Sequence, residues 1–176
     1  MKIIAFAGSN SLQSINKKLA IYAAGLFKNA DTEVLDLNDY ELPLFSVDKE
    51  KEIGKPELAG KFLQKMQSAD VIVLSLAEHN AAFSAAFKNI YDWASRQDKK
   101  VFAEKPMLML ATSPGKGGGR NVIEAGKISL PKYGGNIKAT FYLPEFNDNF
   151  DTASGKISNS EYDSQLKDIV ANFSHE

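Results

Sequence analysis

The chain has 176 residues, 44% of them apolar and 24% charged, with 21 basic against 22 acidic side chains and a formal net charge of −1. That composition fits one globular domain over residues 1–176, and the near-balanced charge leaves no field that favours nucleic acid or an anionic membrane. The absence of cysteine, with only His79 and His175 as imidazoles, excludes disulfides, thiolate catalysis, and metal sites built from cysteine or from histidine alone.

Strand-like runs alternate with helix-like segments along the chain. Ile3 to Ala7 reads as a first buried strand, too short for a secretory leader, and no stretch approaches the ~20 apolar residues of a membrane span. The expected compartment is therefore the cytoplasm. The first helix is expected from about Ile15 to Lys28. Thr32 to Leu37 alternates polar and apolar residues, as a half-exposed edge strand does. Residues 38–55 read as a loop, and Pro56 suits the first position of a helix carrying Leu58, Phe62, Leu63 and Met66. Val71 to Leu76 is apolar on both faces, the pattern of a central parallel strand. Ser84 to Ser95 reads as a helix packing through Phe83, Phe87, Ile90, Tyr91 and Trp93. Pro106 to Ala111 is the fourth strand, Asn121 to Lys132 the next helix, and Ile137 to Leu143 the fifth strand. A polar segment, 147–158, precedes a last helix from about Glu161 to Phe173. The alternation predicts an α/β, flavodoxin-like doubly wound five-stranded parallel sheet, order 2-1-3-4-5, with helices on both faces. Ligands of such sheets bind beyond the carboxyl ends of the strands, so the loops after the first, third and fourth strands form the expected site.

The first of these loops, Gly8-Ser9-Asn10-Ser11-Leu12-Gln13-Ser14-Ile15-Asn16, runs into a helix start. Three hydroxyls, the Asn16 amide and the N–H groups of Ser14 to Asn16 then surround one point beside a helix dipole, which suits a phosphate. It is neither a Walker A loop nor a three-glycine dinucleotide turn, and a serine-lined loop of this form suits the monophosphate of FMN. Either Ser11 or Ser14 also N-caps the helix. In the second loop, Ala77 to Ser84, an apolar strand ends in Glu78, His79 and Asn80. Glu78 and Asn80 can hydrogen-bond a heterocycle while His79 lies against its face; alternatively, Asn80 and Ser84 shape a turn and cap the next helix. The third loop, Thr112 to Arg120, has four glycines in five positions (115, 117, 118, 119), which implies unusual dihedrals or close approach of a ligand. Arg120 either pairs with an anion or is a free surface side chain.

Together these loops resemble the NADPH-dependent FMN reductase family, a flavodoxin-like group of chromate-, quinone- and azo-reducing enzymes. The first family signature stands here as Gly8-Ser9, Ser11 and Ser14-Ile15-Asn16. The second stands as Ala77-Glu78-His79-Asn80 leading to Phe87-Lys88-Asn89-Ile90-Tyr91-Asp92-Trp93, and the glycine-rich stretch as Ser113 to Arg120. The resemblance implies FMN as cofactor, with its phosphate on Ser9, Ser11, Ser14, the Ile15 N–H and Asn16. It puts the isoalloxazine against Ala77, Glu78, His79 and Asn80, with Ser113 and Gly115 closing the other side. It also implies a homodimer or homotetramer, with Phe87, Tyr91 and Trp93 serving core and interface alike. Ser11 replaces the family's arginine, leaving Lys17 or Lys18 as compensating cations, and Ala77 and His79 replace its proline and tyrosine.

The implied activity is an FMN-dependent oxidoreductase. It passes hydride from NADPH or NADH through N5 of FMN to a small acceptor such as a quinone, azo compound or flavin, with no protein acid or base in the reaction. The rival readings are a flavodoxin-type electron carrier and a flavin-binding sensor or scaffold without turnover. Carriers of that type are usually strongly acidic, which a charge of −1 argues against. A serine hydrolase is disfavoured by the lack of a Gly-x-Ser-x-Gly elbow.

Overall fold

A computed structural model describes residues 1–173; His175 lies outside the described residues. Five parallel strands form the main sheet: β1 (Lys2–Gly8), β2 (Asp31–Leu35), β3 (Val71–Leu76), β6 (Pro106–Thr112) and β7 (Asn136–Leu143). Their order is β2-β1-β3-β6-β7, which is 2-1-3-4-5 counted along this sheet, as the alternation of elements predicts. Two short antiparallel hairpins stand apart from it, β4 (Glu78–His79) with β5 (Ala82–Phe83), and β8 (Phe150–Asp151) with β9 (Lys156–Ile157).

Successive strand residues point to opposite faces, so each central strand feeds two cores. Ile3, Ala5, Val71, Val73, Leu108 and Leu110 face one side. There they meet Leu19, Ala20 and Ala23 of α1 (Ile15–Gly25) and Leu166 of α7 (Ser160–Ala171). Ile4, Phe6, Ile72, Leu74, Met107 and Met109 face the other side. They pack on Phe62 and Met66 of α3 (Glu57–Ser68), Ile90 and Trp93 of α4 (Ala85–Ser95) and Val122 of α5 (Arg120–Ser129). All six residues of β3 are buried, because it pairs with β1 and β6 and is covered on both faces. Truncating a side chain as enclosed as Leu74 to alanine costs about 2–5 kcal/mol. β2 is an edge strand with only Leu35 buried.

Several expectations need correction. The stretch read as a loop, 38–55, holds a 3₁₀ turn at Leu37–Tyr40 and the helix α2 (Val47–Ile53). That helix buries no residue, so it has no apolar stripe for periodicity to detect, and its start is fixed by Ser46 Oγ accepting the Lys49 N–H at 3.0 Å. Pro56 is the N-cap of α3 rather than its first residue, and Ala59 rather than Leu58 is buried on its packing face. The fifth helix stops at Ser129 and tightens into a 3₁₀ turn, Leu130–Tyr133, because Pro131 cannot continue it. The polar segment 147–158 contains most of α6 (Phe146–Asn149) and the β8–β9 hairpin. Phe87, Tyr91 and Trp93 are 0%, 4% and 0% exposed inside one chain, so they offer no surface to a partner.

Candidate cofactor site

The carboxyl ends of β1, β3 and β6 bring the three loops together. After β1 the chain turns through Ser9–Gln13, and Ser14 caps α1 by accepting the Lys17 N–H at 3.2 Å. Of the two candidate caps, Ser14 is therefore the one used. The N–H groups of Ile15 and Asn16 in the first helical turn have no intrahelical acceptor. Ser9 Oγ accepts the Ser11 N–H at 3.2 Å, which folds the loop back over the helix start. Lys17 is committed elsewhere: its ammonium binds Asp36 at 2.6 Å and holds that carboxyl below its ordinary value.

The Asn16 side chain is buried at 3% exposure. Its Oδ1 accepts from Ser75 Oγ at 2.8 Å and from the Thr112 N–H at 2.9 Å, while Nδ2 donates to the Thr112 carbonyl at 3.1 Å. Thr112 Oγ1 in turn donates to the Leu143 carbonyl at 2.7 Å. The start of α1 is thereby fastened to β3, β6 and β7. One amide proton of Asn16 is spent on the Thr112 carbonyl.

The second loop is the β4–β5 hairpin. Its two connecting residues, Asn80 (φ 52°) and Ala81 (φ 62°), both have positive φ, as a type I′ turn requires. Ser84 caps α4 through the Phe87 N–H at 3.1 Å and donates to the Gly8 carbonyl at 2.7 Å, tying this loop to the end of β1. Asn80 and Ser84 thus have the turn-and-cap roles. The carboxylate of Glu78 sits at the amino end of α5, accepting from the Val122 N–H at 2.9 Å and from Asn121 Nδ2 at 3.1 Å. It supplies the cap that Gly119 cannot, since the N-cap position there has no side chain.

The third loop folds against its own chain. Gly118 (φ 60°) and Gly119 (φ 81°) take left-handed conformations, and a Cβ would lie 2.9 Å from the Pro144 nitrogen or 2.7 Å from Ala111 Cβ respectively. Gly115 and Gly117 have open space around them. Ser113 Oγ donates to the Gly115 carbonyl at 3.3 Å. Arg120 is neither free nor paired with an anion: its guanidinium lies 5.0 Å over the Tyr142 ring and bonds the phenol at 2.9 Å.

These loops enclose a cleft of about 360 Å³. Of the expected site residues, Ser9, Ser11, Ser14, Ile15 and Asn16 line it from the first loop. Ala77, Glu78, His79 and Ser113 line it from the other two. Asn80 and Gly115 do not line it. Gln13, Thr112 and Pro114 also line it and were missed by the sequence reading. Thr112, a polar residue ending an apolar strand, was a detectable signal.

A family model described as NADPH-dependent FMN reductase matches residues 1–147. The chain belongs to that family. An NADPH:quinone oxidoreductase of Arabidopsis thaliana is 34% identical over 134 residues, covering 74% of this chain and 67% of that one. An NAD(P)H-dependent FMN reductase of Pseudomonas aeruginosa is 29% identical over 119 residues, 67% of this chain and 63% of that one. Among solved structures, a flavoenzyme NAD(P)H:(acceptor) oxidoreductase from Paracoccus denitrificans superposes with a TM-score of 0.76 at 21% identity, covering 98% of this chain and 94% of that one, a likeness of fold. This FMN reductase family member is an oxidoreductase of the FMN-dependent, NAD(P)H-consuming class.

Proposed function

We propose that the three-loop cleft holds FMN and that this one domain, residues 1–176, reduces a quinone, flavin, azo compound or similar small acceptor at the expense of NAD(P)H. The observation that carries the reading is convergence: residues from three separate loops, chosen from sequence for FMN, line one cleft of about 360 Å³. The donor set fits a phosphomonoester. The N–H groups of Ile15 and Asn16 and the hydroxyls of Ser9, Ser11 and Ser14 surround the positive end of a helix dipole. Ala77, Glu78, His79 and Ser113 flank the position for the isoalloxazine, with Asn80 and Gly115 outside the lining.

Bound there, FMN supplies the two-electron chemistry between NAD(P)H and acceptor. The protein's own residues bind and orient. Asn16 locks the phosphate cradle to the sheet, and Glu78 fixes the third loop relative to the second by capping α5. Its charge is only partly offset by the positive end of that helix. We also assign the enzyme to the cytoplasm, as the sequence pattern suggests, and, on the family resemblance, to a homodimer or homotetramer; sedimentation velocity tests the assembly.

The decisive experiment is the visible spectrum of protein mixed with FMN and desalted, followed by anaerobic NADPH. Retained yellow colour that bleaches is the expected result. Retained colour that NADPH does not bleach makes the chain an electron carrier, and colourless protein removes FMN from the cleft.

A further inference from the structure

The balanced charge of the whole chain conceals an uneven distribution. Residues 96–138 hold nine of the 21 basic side chains and three of the 22 acidic ones, a net of +6 in a chain of net −1. Six of the nine, Lys99, Lys100, Lys105, Lys127, Lys132 and Lys138, belong to the segments that gather at the amino ends of β6 and β7.

Those segments are laced together. The Phe102 N–H donates to the Tyr133 carbonyl at 3.1 Å, and the Glu104 N–H to the Gly134 carbonyl at 2.9 Å. Pro106 stands opposite Asn136 where β6 and β7 begin to pair. Ala103 (φ 51°) and Glu104 (φ 59°) are both left-handed without being glycine, a conformation that persists only where the surroundings enforce it. Lys127 and Lys138 line one groove together with Pro131 and Ile137.

Two of the lysines have local carboxylates: Lys100 pairs with Glu104 and Lys127 with Glu124, each at 2.8 Å. Lys99, Lys105, Lys132 and Lys138 have no ion-pair partner among the described residues. On the same stretch Ile128 is 67% exposed, and Pro131 is exposed as well. Solubility accounts for the lysines and not for an isoleucine among them.

β6 spans seven residues, about 23 Å at the rise of a strand, and separates this base from the cofactor cleft. Screening acts over about 8 Å at physiological salt, so these lysines do not steer anions to the cleft. The chemistry of the patch favours one anionic partner. Nucleic acids are gripped by forked guanidinium groups and stacked aromatic rings. Both arginines of the chain are engaged, Arg96 by Glu50 and Arg120 by Tyr142, and the Tyr133 ring packs edge-on against Tyr91 at 5.2 Å. The acidic side of a second copy would make a head-to-tail contact, which closes only at special rotations. Lysines around an aliphatic side chain match an anionic lipid surface, where ammonium groups meet the headgroups and the isoleucine enters the acyl boundary. No helix of the described residues is long and apolar enough to cross a membrane, so the contact is a surface one.

We infer that the base of β6 and β7 docks peripherally on an anionic lipid bilayer, leaving the cofactor cleft at the other end of the sheet open to water. The inference does not depend on what occupies that cleft.

The test is co-sedimentation of the protein with vesicles of phosphatidylcholine alone and of equal parts phosphatidylcholine and phosphatidylglycerol. Binding is expected to the mixed vesicles only, and it should weaken as salt rises. Lys132→Glu and Lys138→Glu, both at exposed positions, are each expected to weaken it about fivefold or more. Ile128→Ser should weaken it without changing its salt dependence, and urea midpoints show that the variants are folded. Lys51→Glu on α2 makes the same charge change elsewhere and should leave binding unaltered. Wild type that ignores the mixed vesicles, or binding undiminished in both lysine variants, overturns the inference. So does an equal loss in Lys51→Glu, which reduces the effect to net charge. A labelled oligonucleotide bound more tightly than the mixed vesicles at equal salt, and released by Lys132→Glu, overturns it in favour of nucleic acid. Self-association that the lysine variants abolish in sedimentation velocity overturns it in favour of a contact between copies.

Discussion

Replacing Asn16 with alanine should destabilise the FMN-free protein by about 3 kcal/mol, although the residue lies in a loop-proximal turn. The side chain makes three hydrogen bonds, to Ser75 Oγ and to both backbone groups of Thr112. Ser75 is 0% and Thr112 1% exposed, so truncation leaves a hydroxyl, an N–H and a carbonyl facing a void. Each abandoned buried polar group costs about 1–3 kcal/mol, and water entering from the adjoining cleft offsets part of the total, which brings the sum to about 3 kcal/mol. For a domain of this length that lowers Tm by about 6–12 °C. The comparison variant Ser75→Ala should cost only about 1 kcal/mol, because it removes one partner and leaves Asn16 Oδ1 still served by Thr112. Urea unfolding of both variants without FMN separates stability from ligand binding. A loss below about 1 kcal/mol for Asn16→Ala would refute the anchoring argument and reduce Asn16 to a lining residue.

Ala81→Gly should stabilise the protein by about 0.5–1 kcal/mol in the same assay, since Ala81 holds φ 62° in a turn that prefers glycine there; no gain means the turn relaxes without cost. Gly119→Ala should destabilise by about 2 kcal/mol or more, because the new Cβ would meet Ala111 Cβ at 2.7 Å with φ held at 81°; an unaffected urea midpoint contradicts that crowding. Asp36→Asn should cost about 0.5–1 kcal/mol at pH 7. The Lys17 ammonium lowers the folded carboxyl's pKa from 3.8, so the stabilisation is present above that value and is lost as pH falls through the lowered one. The gap between wild type and Asp36→Asn should accordingly close as pH falls through that lowered value, and a gap that persists in acid well beyond it assigns the effect to packing.

The sheet was legible because its signals are long and two-sided. The uninterrupted apolar run of β3 reports burial on both faces, and the alternation of β2 reports an edge. The exposed α2 was illegible to periodicity, yet Ser46 and Gly54 bracket it as start and stop signs. In the site, residue types were legible and their partners were not. Glu78 reads as a ring-binding carboxylate because nothing local shows that the amino end of α5, more than forty residues on, comes to meet it. Ser75 reads as a gap in an apolar run until the fold places Asn16 Oδ1 2.8 Å from its hydroxyl. Asn89 and Trp93 stood in the most specific motif of the chain, but their target is an irregular segment that has no pattern of its own.

The cradle's charge sets the last expectation. Glu78 is the one charged side chain lining the cleft, only partly offset by the α5 dipole; Lys17 is held by Asp36, so it does not compensate for Ser11. A phosphate on the first loop meets hydroxyls, N–H groups and a helix dipole but no lining cation. Charge-assisted hydrogen bonds are about twice as strong as neutral ones, so restoring the cation with Ser11→Arg should tighten FMN by about 1.4 kcal/mol, or about tenfold. Ser11 is exposed, so the larger side chain displaces no core atom. Fluorescence titrations with FMN and riboflavin, each at low and high salt, read the effect. The gain should appear for FMN alone and shrink with salt, because riboflavin carries no phosphate for the guanidinium to meet. Equal tightening of both flavins would place the arginine against the ring system and move the phosphate away from the start of α1.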